Sequence, residues 1–312
     1  MASIKIIGGG LSGLTLARNL LDMGFDVKVV ETRGRVGGIS ILDAEAMSII
    51  DRIIGDITVE KYSTAVRVSG LVKIVSSRGV EDVKLGVTAT GFRVLTPIEL
   101  NIVGDRPAGI YPYHTVLDLI TENLAPGRYV ALYGLNRYSV LLARQLLNYV
   151  RKVYIVDPQS VSSHEVSEIE VLKGNVRRVK GTGRLSHILV DGNIVEVDTL
   201  ILAMFKPWNP FPELPAVGHA VLEVYDPRAL VEASRLQAIN LACEDSNKVR
   251  VYVSNPEIQV FPRQVSRCLR EILIVRRSGG KIMVNGRVYN VTGDYVIVEI
   301  PRDVESVQVS SV

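Results

Sequence analysis

Short apolar runs separated by glycine-rich breaks form the start of the chain. Isoleucine fills three of the positions 4–7, three glycines follow, and apolar side chains then recur at helical spacing until Gly24. A second apolar run, VKVV at 27–30, ends at Glu31. This pattern predicts a buried strand, a tight turn, a helix and a second strand.

The same succession returns after Arg128. An apolar run at 129–133 is followed by the turn GLNRYS at 134–139, a helical pattern at 140–149 and another apolar run that ends at Asp157. Two copies of one strand–turn–helix–strand plan predict two domains, each built on a parallel sheet. The fold class predicted from the pattern is therefore α/β.

The remaining pattern is mostly that of short strands. Helical spacing recurs at 43–54 and 115–124, and short β-branched runs lie between these two helices. From residue 248 onward only strands are predicted, with hairpin turns at 279–280 and 285–286. The C-terminal part is predicted to be a small all-β module.

The glycine turn of the first copy has the spacing GxGxxG, in which each glycine has a separate task. Gly8 allows the turn, Gly10 lets a pyrophosphate approach the backbone, and Gly13 lets helix and strand pack closely. Free N–H groups at the helix start and the helix dipole then favour the phosphates. The same spacing occurs in plain glycine-rich turns, but the strand before it and the helix after it support dinucleotide binding.

Glu31 stands where the second predicted strand ends. A carboxylate at this place accepts both hydroxyls of an adenosine ribose and disfavours a 2′-phosphate. The acid therefore agrees with the glycine turn in predicting a dinucleotide site.

The second copy has lost two of its three glycines. Gly134 is retained, but Asn136 and Ser139 stand where the second and third glycines belong, so their side chains crowd the approach of a pyrophosphate. Asp157 is the acid at the end of the following strand and favours NAD(H) or an adenine nucleotide over NADP. The alternative is a retained scaffold domain with an empty or altered pocket.

Further segments carry a resemblance to a known family. A glycine pair at 37–38 follows Glu31, the sequence ATG stands at 89–91, and a Gly/Pro-rich linker, GDRPAGIY, fills 104–111. Together they resemble the FAD-binding flavoproteins with two dinucleotide-binding domains, the pyridine nucleotide-disulfide oxidoreductase-like superfamily. Because a redox-active dithiol motif is missing, the chain is most similar to the FAD subunits of multi-subunit archaeal dehydrogenases, which implies a thermophilic source.

The resemblance also implies a domain plan. A Rossmann-like, three-layer FAD domain is expected to be discontinuous, made from 1–106 and 205–246, because 216–242 resembles the segment that returns to it. A second, NAD-like domain is expected at 107–204, and the C-terminal β module at 247–312.

Some of the residues marked by the resemblance have two interpretations. His219 follows Gly218 where the family has an acid or amide, so it is either a cofactor contact or a capping or core histidine. Val66 is either an adenine contact or a plain strand residue, and the arginines at 33 and 35 either offset pyrophosphate charge or lie in a solvated loop. The predicted cofactor-binding residues are Gly8, Gly10, Leu11, Ser12, Gly13, Glu31, Thr32, Arg33, Gly37, Gly38, Val66, Thr90, Gly91, Gly218 and His219. For the second nucleotide they are Gly134, Asn136 and Asp157.

Composition narrows the class of protein. The 312 residues carry a net charge of +3, so no nucleic-acid partner is expected. Cys243 and Cys268 lie far apart in sequence, which excludes a CxxC redox pair and a set of iron–sulfur ligands, and the four histidines show no zinc spacing. No apolar stretch approaches the ~18 residues of a transmembrane span. We therefore expect no metal site and a cytoplasmic location.

These observations favour an FAD-dependent oxidoreductase. The first hypothesis is the flavin-carrying subunit of a multi-subunit dehydrogenase, which oxidises a small-molecule substrate and passes electrons to a partner subunit with iron–sulfur clusters or a second flavin. Such a subunit can be peripheral to the membrane through its partner, and can form homo-oligomers. The second is a stand-alone NAD(P)H-dependent flavin reductase, and the third a non-catalytic nucleotide-binding assembly subunit. The sequence identifies no catalytic acid or base.

Overall fold

A computed structural model of the protein describes residues 3–158, 168–243, 248–301 and 304–312. His164 lies outside the described residues. The chain divides into a first compact unit, formed by Met1–Phe92 with Pro207–Val312, and a second one, formed by Arg93–Lys206. Residues 93–106, which the sequence assigns to the FAD domain, therefore cluster with the second unit.

The N-terminal part of the first unit is a parallel sheet with helices against it. Its elements are β1 (Ile4–Ile7), α1 (Leu11–Asp22), β2 (Val27–Val30), α2 (Ala44–Ile53), β3 (Val59–Glu60), β4 (Thr64–Val68), β5 (Leu71–Ser76), β6 (Gly79–Asp82), β7 (Gly86–Thr88) and β8 (Phe92–Val94). The order β3-β2-β1-β7 places β1 between β2 and β7, with all pairs parallel. The loop that follows β1 therefore opens at the centre of the sheet, where ligands of such sheets bind.

Apolar side chains on both faces of β1 produce three layers. Ile6 packs in one core with Leu14 of α1, whereas Ile7 packs on the other face against Val72 of β5. Strands β4, β5 and β6 form an antiparallel sheet of their own on that second face. The predicted three-layer arrangement thus follows from the alternation of side chains along one strand.

The second unit repeats this plan. Its elements are β9 (Val103–Gly104), β10 (Ile110–Pro112), α3 (Tyr113–Thr121), β11 (Tyr129–Tyr133), α4 (Arg137–Leu146), β12 (Lys152–Asp157), β13 (Glu170–Lys173), β14 (Val176–Gly181), β15 (Leu185–Val190), β16 (Asn193–Glu196), β17 (Thr199–Leu202) and β18 (Phe205–Pro207). The parallel sheet has the order β10-β17-β11-β12-β13. In a second sheet β14, β15 and β16 are antiparallel, and β9 pairs parallel with β14 at its edge. Short strands β8 and β18 lie where the chain passes between the units.

The C-terminal part of the first unit is one long helix followed by strands. Its elements are α5 (Pro227–Ala242), β19 (Lys248–Val253), β20 (Gln259–Phe261), β21 (Gln264–Ser266), β22 (Glu271–Val275), β23 (Gly280–Val284), β24 (Arg287–Val291), β25 (Tyr295–Glu299) and β26 (Ser306–Ser311). The strands form two sheets, with orders β21-β19-β26-β23-β24 and β20-β22-β25. Their core is continuous with that of the nucleotide-binding sheet, from Leu14 through Leu236 to Ile272. The C-terminal strands therefore belong to the first compact unit, although the sequence gives them a module of their own.

The end of α5 is attached to the C-terminal strands by a disulfide and by hydrogen bonds. Cys243, the residue that ends α5, is bonded to Cys268 across a sequence separation of 25 residues. Asn240 accepts the N–H of Ser266 at 2.7 Å and donates to the carbonyl of Gln264 at 3.1 Å. Sequence separation excludes a CxxC motif but gives no reason to pair these cysteines, so the disulfide is a finding of the structure.

The fold class predicted from the sequence is confirmed. Both parallel sheets have the Rossmann-like succession of strand, turn and helix, and the additional C-terminal strands are present. Helix ends differ by a few residues from the pattern. The helix predicted at 140–149 is Arg137–Leu146, because Asn136 caps it at an earlier residue.

Candidate functional site

Two of the three glycines of the first turn are required by close contacts. Gly8 has φ +118°, and a Cβ there would lie 2.3 Å from the carbonyl oxygen of Ala89. A Cβ on Gly13 would lie 2.0 Å from the carbonyl oxygen of Gly8. Strand β1, helix α1 and the end of β7 therefore meet backbone to backbone, as predicted from the GxGxxG spacing.

Gly10, in contrast to Gly8 and Gly13, has open space among the described residues around the position of a Cβ. It is the N-cap of α1, no side chain of the described residues caps the helix, and no described atom lies within 4 Å of an ideal Cβ there. Its φ of −79° is one that any residue adopts, so the backbone itself does not require glycine. The open space above an uncapped helix start is a cradle that suits a phosphate group, which fits the predicted dinucleotide.

The second glycine pair lies against this turn. Gly37 has φ +103° and donates its N–H to the carbonyl of Gly9 at 2.9 Å. A Cβ on Gly38 would lie 3.5 Å from the Cα of Gly10. The chain that follows Glu31 thus borders the cradle from the other side, as expected for a second set of contacts to a pyrophosphate.

Glu31 is held in place by two backbone groups. Its side chain is buried, and its two carboxylate oxygens accept the N–H groups of Gly9 and Arg33, each at 2.8 Å. A carboxylate oxygen has more than one acceptor site, so hydroxyl donors of a ribose can still bind. Thr32 is exposed beside it, and Arg33 and Arg35 are half-buried.

For the FAD predicted from the sequence, we expect Glu31→Gln to weaken binding roughly tenfold, because the amide loses charge-assisted hydrogen bonds and turns an N–H₂ group towards a backbone N–H. Titration of apoprotein with FAD, followed by flavin fluorescence, measures this. The matched control is Glu60→Gln, at the end of the neighbouring strand β3, where the carboxylate pairs with Lys28 and Arg78. Equal affinities of the two variants would contradict a ribose contact for Glu31.

The residues predicted to contact the cofactor at the adenine and in the ATG segment, Val66, Thr90 and Gly91, are half-buried or exposed. Val66 is half-buried in β4. Thr90 is exposed and its hydroxyl donates to the carbonyl of Trp208 at 3.0 Å, so its side chain fixes the chain after β18. Gly91 has φ +86° and open space in place of a Cβ, as far as the described residues reach. Contacts of these residues with a cofactor stay a prediction.

Gly218 joins the returning segment to the first helix. It has φ +64°, and a Cβ there would lie 2.1 Å from the hydroxyl oxygen of Ser12. Ser234 of α5 donates its hydroxyl to the carbonyl of Ser12 at 3.0 Å. Gly218 and α5 thus pack on the first turn of α1, which places the residues of the discontinuous domain side by side.

His219 has the surroundings of a core residue. It is 6% exposed, and its ring stacks on Phe92 with centroids 3.9 Å apart and planes 19° apart. Its Nε2 lies 2.7 Å from the carbonyl of Val224, so Nε2 carries a hydrogen and donates to it. Burial lowers the pKa of the imidazole to about 4, which keeps it neutral at pH 7. Of the two interpretations given above, the packing therefore favours the core histidine.

The start of α5 carries a residue that the sequence reasoning missed. Asp226 is the N-cap, and its carboxylate accepts the N–H of Arg228 at 2.8 Å. Pro227 occupies the first helical position. Asp followed by Pro is a helix-start signal, so this cap could have been predicted from the sequence.

The second turn matches the first in its backbone but not at its helix start. Gly134 has φ +116°, and a Cβ there would lie 2.8 Å from the carbonyl oxygen of Ala203; the corresponding distance from Gly8 to Ala89 is 2.3 Å. Asn136 is buried, and it forms a capping box with Ser139 at the start of α4. Asp157 is buried at the end of β12.

Two properties of the described chain bear on other classes of site. No group of three or more histidine, cysteine or carboxylate side chains within it is arranged to hold a metal ion. None of its helices combines the length and the apolar character needed to cross a membrane.

Comparisons with known proteins agree with this geometry. A family model described as NAD(P)-binding Rossmann-like domain matches residues 6–41, which contain the glycine turn and Glu31. A search of curated protein sequences finds no match. The matched segment is short, so it identifies the nucleotide-binding motif and not a whole family.

Solved structures are similar over most of the chain. L-proline dehydrogenase from P. horikoshii has a TM-score of 0.56 and 18% identity, with 77% of this chain and 54% of that chain covered. Thioredoxin reductase from T. acidophilum has a TM-score of 0.57 and 14% identity, with 75% and 95% covered. An NAD-dependent persulfide reductase from A. fulgidus has a TM-score of 0.57 and 14% identity, with 88% and 64% covered.

These likenesses concern the fold. The chain spans about half the length of the P. horikoshii chain (54%), but nearly all of the T. acidophilum one (95%). The resemblance to flavoproteins of the thioredoxin reductase and pyridine nucleotide-disulfide oxidoreductase type is thereby confirmed as a likeness of fold.

Proposed function

We propose that the protein is an FAD-dependent oxidoreductase. The observation that carries the proposal is the contrast within one turn. Backbone contacts close Gly8 and Gly13, whereas among the described residues nothing fills the space at Gly10 and no side chain caps the helix that starts there. This is the arrangement that a diphosphate requires. The glycine pair at 37–38 and the fixed carboxylate of Glu31 extend the site towards an adenosine ribose.

The residues of the first unit have distinct tasks in this proposal. Amides at the start of α1 hold the diphosphate, and Glu31 accepts the ribose hydroxyls. Gly218 lies close to Leu230 of α5 and to Ser12, so it aligns the returning segment with α1. Bound FAD supplies one- and two-electron redox chemistry, while the protein supplies binding and orientation.

The proposal includes a partner that accepts the electrons. The chain has two cysteines, and they form a disulfide at the far end of α5. Cys243 follows Leu230, which lies beside Gly218, by thirteen positions, a distance of about 20 Å at helical rise. A disulfide this far from the site is poorly placed to receive electrons, which supports a flavin-carrying subunit that passes electrons to a partner subunit.

The test is the absorbance spectrum of the purified chain, with mass spectrometry of what it releases on denaturation. We expect the visible absorbance bands of an oxidised flavin and release of FAD in about equimolar amount. A colourless chain that does not take up added FAD would contradict the proposal.

A stand-alone NAD(P)H-dependent flavin reductase is the second candidate. It is favoured by the likeness to the T. acidophilum thioredoxin reductase, of which 95% is covered. Mixing the FAD-loaded chain with NADH in a stopped-flow instrument separates the two candidates. Rapid bleaching of the flavin supports the reductase, and no bleaching supports the subunit.

A further inference from the structure

The start of helix α4 is the place where a second dinucleotide would bind. Each motif residue of the second unit follows its counterpart in the first unit by 126 positions: Gly134 follows Gly8, Asn136 follows Gly10, and Asp157 follows Glu31. The backbone is repeated as well, since the N–H of Gly134 donates to Val156 just as that of Gly8 donates to Val30, both at 2.9 Å. The two helix starts can therefore be compared atom by atom.

Side chains of the chain itself occupy this second helix start. Asn136 Oδ1 accepts the N–H of Ser139 at 3.0 Å, and Ser139 Oγ accepts the N–H of Asn136 at 2.9 Å. Asn136 Nδ2 donates to the carbonyl of Ala203, at the end of β17, at 2.8 Å. At the equivalent position of the first unit, Gly10 leaves open space and α1 has no side-chain cap among the described residues.

These hydrogen bonds occupy backbone N–H groups that a pyrophosphate would need at the helix start. Two N–H groups at the start of α4 already have side-chain acceptors. The Asn136 side chain is only 9% exposed and is hydrogen-bonded both to α4 and to the carbonyl at the end of β17. Ser139 is completely buried and its hydroxyl also donates to the carbonyl of Asn136 at 2.9 Å. A phosphate could enter only by breaking these hydrogen bonds and displacing the Asn136 side chain.

We infer that the capping box of Asn136 and Ser139 closes the second dinucleotide site, so that the second unit binds neither NAD(H) nor another dinucleotide diphosphate at α4. Given the proposed function, on which this step rests, the electron donor is a non-nucleotide substrate or a partner, and not a pyridine nucleotide bound to the second unit.

The test compares the FAD-loaded chain with the double variant N136G/S139G, which restores GxGxxG in the second turn. Binding of NADH and of ADP is measured by isothermal titration and by saturation-transfer NMR, and far-UV circular dichroism checks that the variant is folded. We expect no saturable binding by the unchanged chain. Regained hydrogen bonds to phosphate should strengthen binding by the variant roughly tenfold or more.

Flavin absorbance is recorded in the same titrations, because a nucleotide that displaces FAD from the first unit releases free flavin. Saturable NADH binding by the unchanged chain without flavin release, lost in Asp157→Ala, would overturn the inference. Absence of binding in both proteins would also overturn it, because the capping box would then not be what closes the site. If the chain takes up no FAD, the proposed function fails, while the difference in ADP binding between the two proteins, which share the same first site, still decides the inference.

Discussion

Replacing Gly10 with alanine will leave the chain folded and remove most of its affinity for FAD. The φ of −79° suits alanine, and no described atom lies within 4 Å of the added Cβ, so the folded protein has room for it. A bound diphosphate has no room for the added methyl group, because it must pass close to residue 10 to form its hydrogen bonds to the helix start. Loss of one or two charge-assisted hydrogen bonds corresponds to an affinity roughly tenfold to a hundredfold lower.

Gly13→Ala is the matched variant, and here we expect the main effect on the stability of the fold and not on the affinity for FAD. At an open helical position this substitution would add about 1 kcal/mol of stability. Here the new Cβ would lie 2.0 Å from the carbonyl oxygen of Gly8, a backbone atom that cannot turn aside. Overpacking of this kind costs typically 1–3 kcal/mol and sometimes more.

Thermal unfolding of the apoproteins and FAD titration distinguish the two variants. Gly10→Ala should unfold close to the unchanged apoprotein, and Gly13→Ala at a clearly lower temperature. If Gly10→Ala binds FAD with unchanged affinity, then Gly10 does not face a diphosphate and the cradle has another use.

Much of the first site could be predicted because its geometry depends on residue types at fixed spacing. Only glycine fits at positions 8 and 13, and an acid at the end of a second strand reaches the turn, so Glu31 is found beside Gly9 as the motif requires. The second turn shows the limit of such reasoning. The sequence predicts that Asn136 and Ser139 crowd a phosphate, but the reciprocal hydrogen bonds between them become visible only in the folded chain.

Two other features depended on contacts between distant parts of the chain. Cys243 and Cys268 are joined because the end of α5 lies beside the strand that carries Ser266, and sequence separation contains no information about that packing. His219 stands where the resemblance implies an acid or amide, yet the ring stacks on Phe92 and donates to the carbonyl of Val224. The position of His219 in the sequence motif predicted where it lies in the fold, but only the folded chain shows that its ring is buried against Phe92.

The stability of the protein should fall in mild acid because of His219. In the folded chain burial lowers the pKa of this imidazole to about 4, compared with 6.5 for an ordinary histidine. Between these values the unfolded chain binds a proton that the folded chain does not, so the free energy of unfolding decreases as pH falls. The contribution is fully present above pH 6.5, and it is lost between pH 6.5 and pH 4. The loss amounts to about 3 kcal/mol at 1.36 kcal/mol per pH unit.

The control is His219→Gln, whose amide N–H₂ can still donate to the carbonyl of Val224 but does not titrate. Urea unfolding of both proteins at pH 7 and at pH 4 cancels the effect of the other acidic and basic groups. We expect the unchanged protein to lose about 3 kcal/mol more than the variant over this interval. Parallel losses in the two proteins would show that the imidazole takes up its proton while the chain is folded, and the ring would then have to face solvent or a carboxylate instead of Phe92.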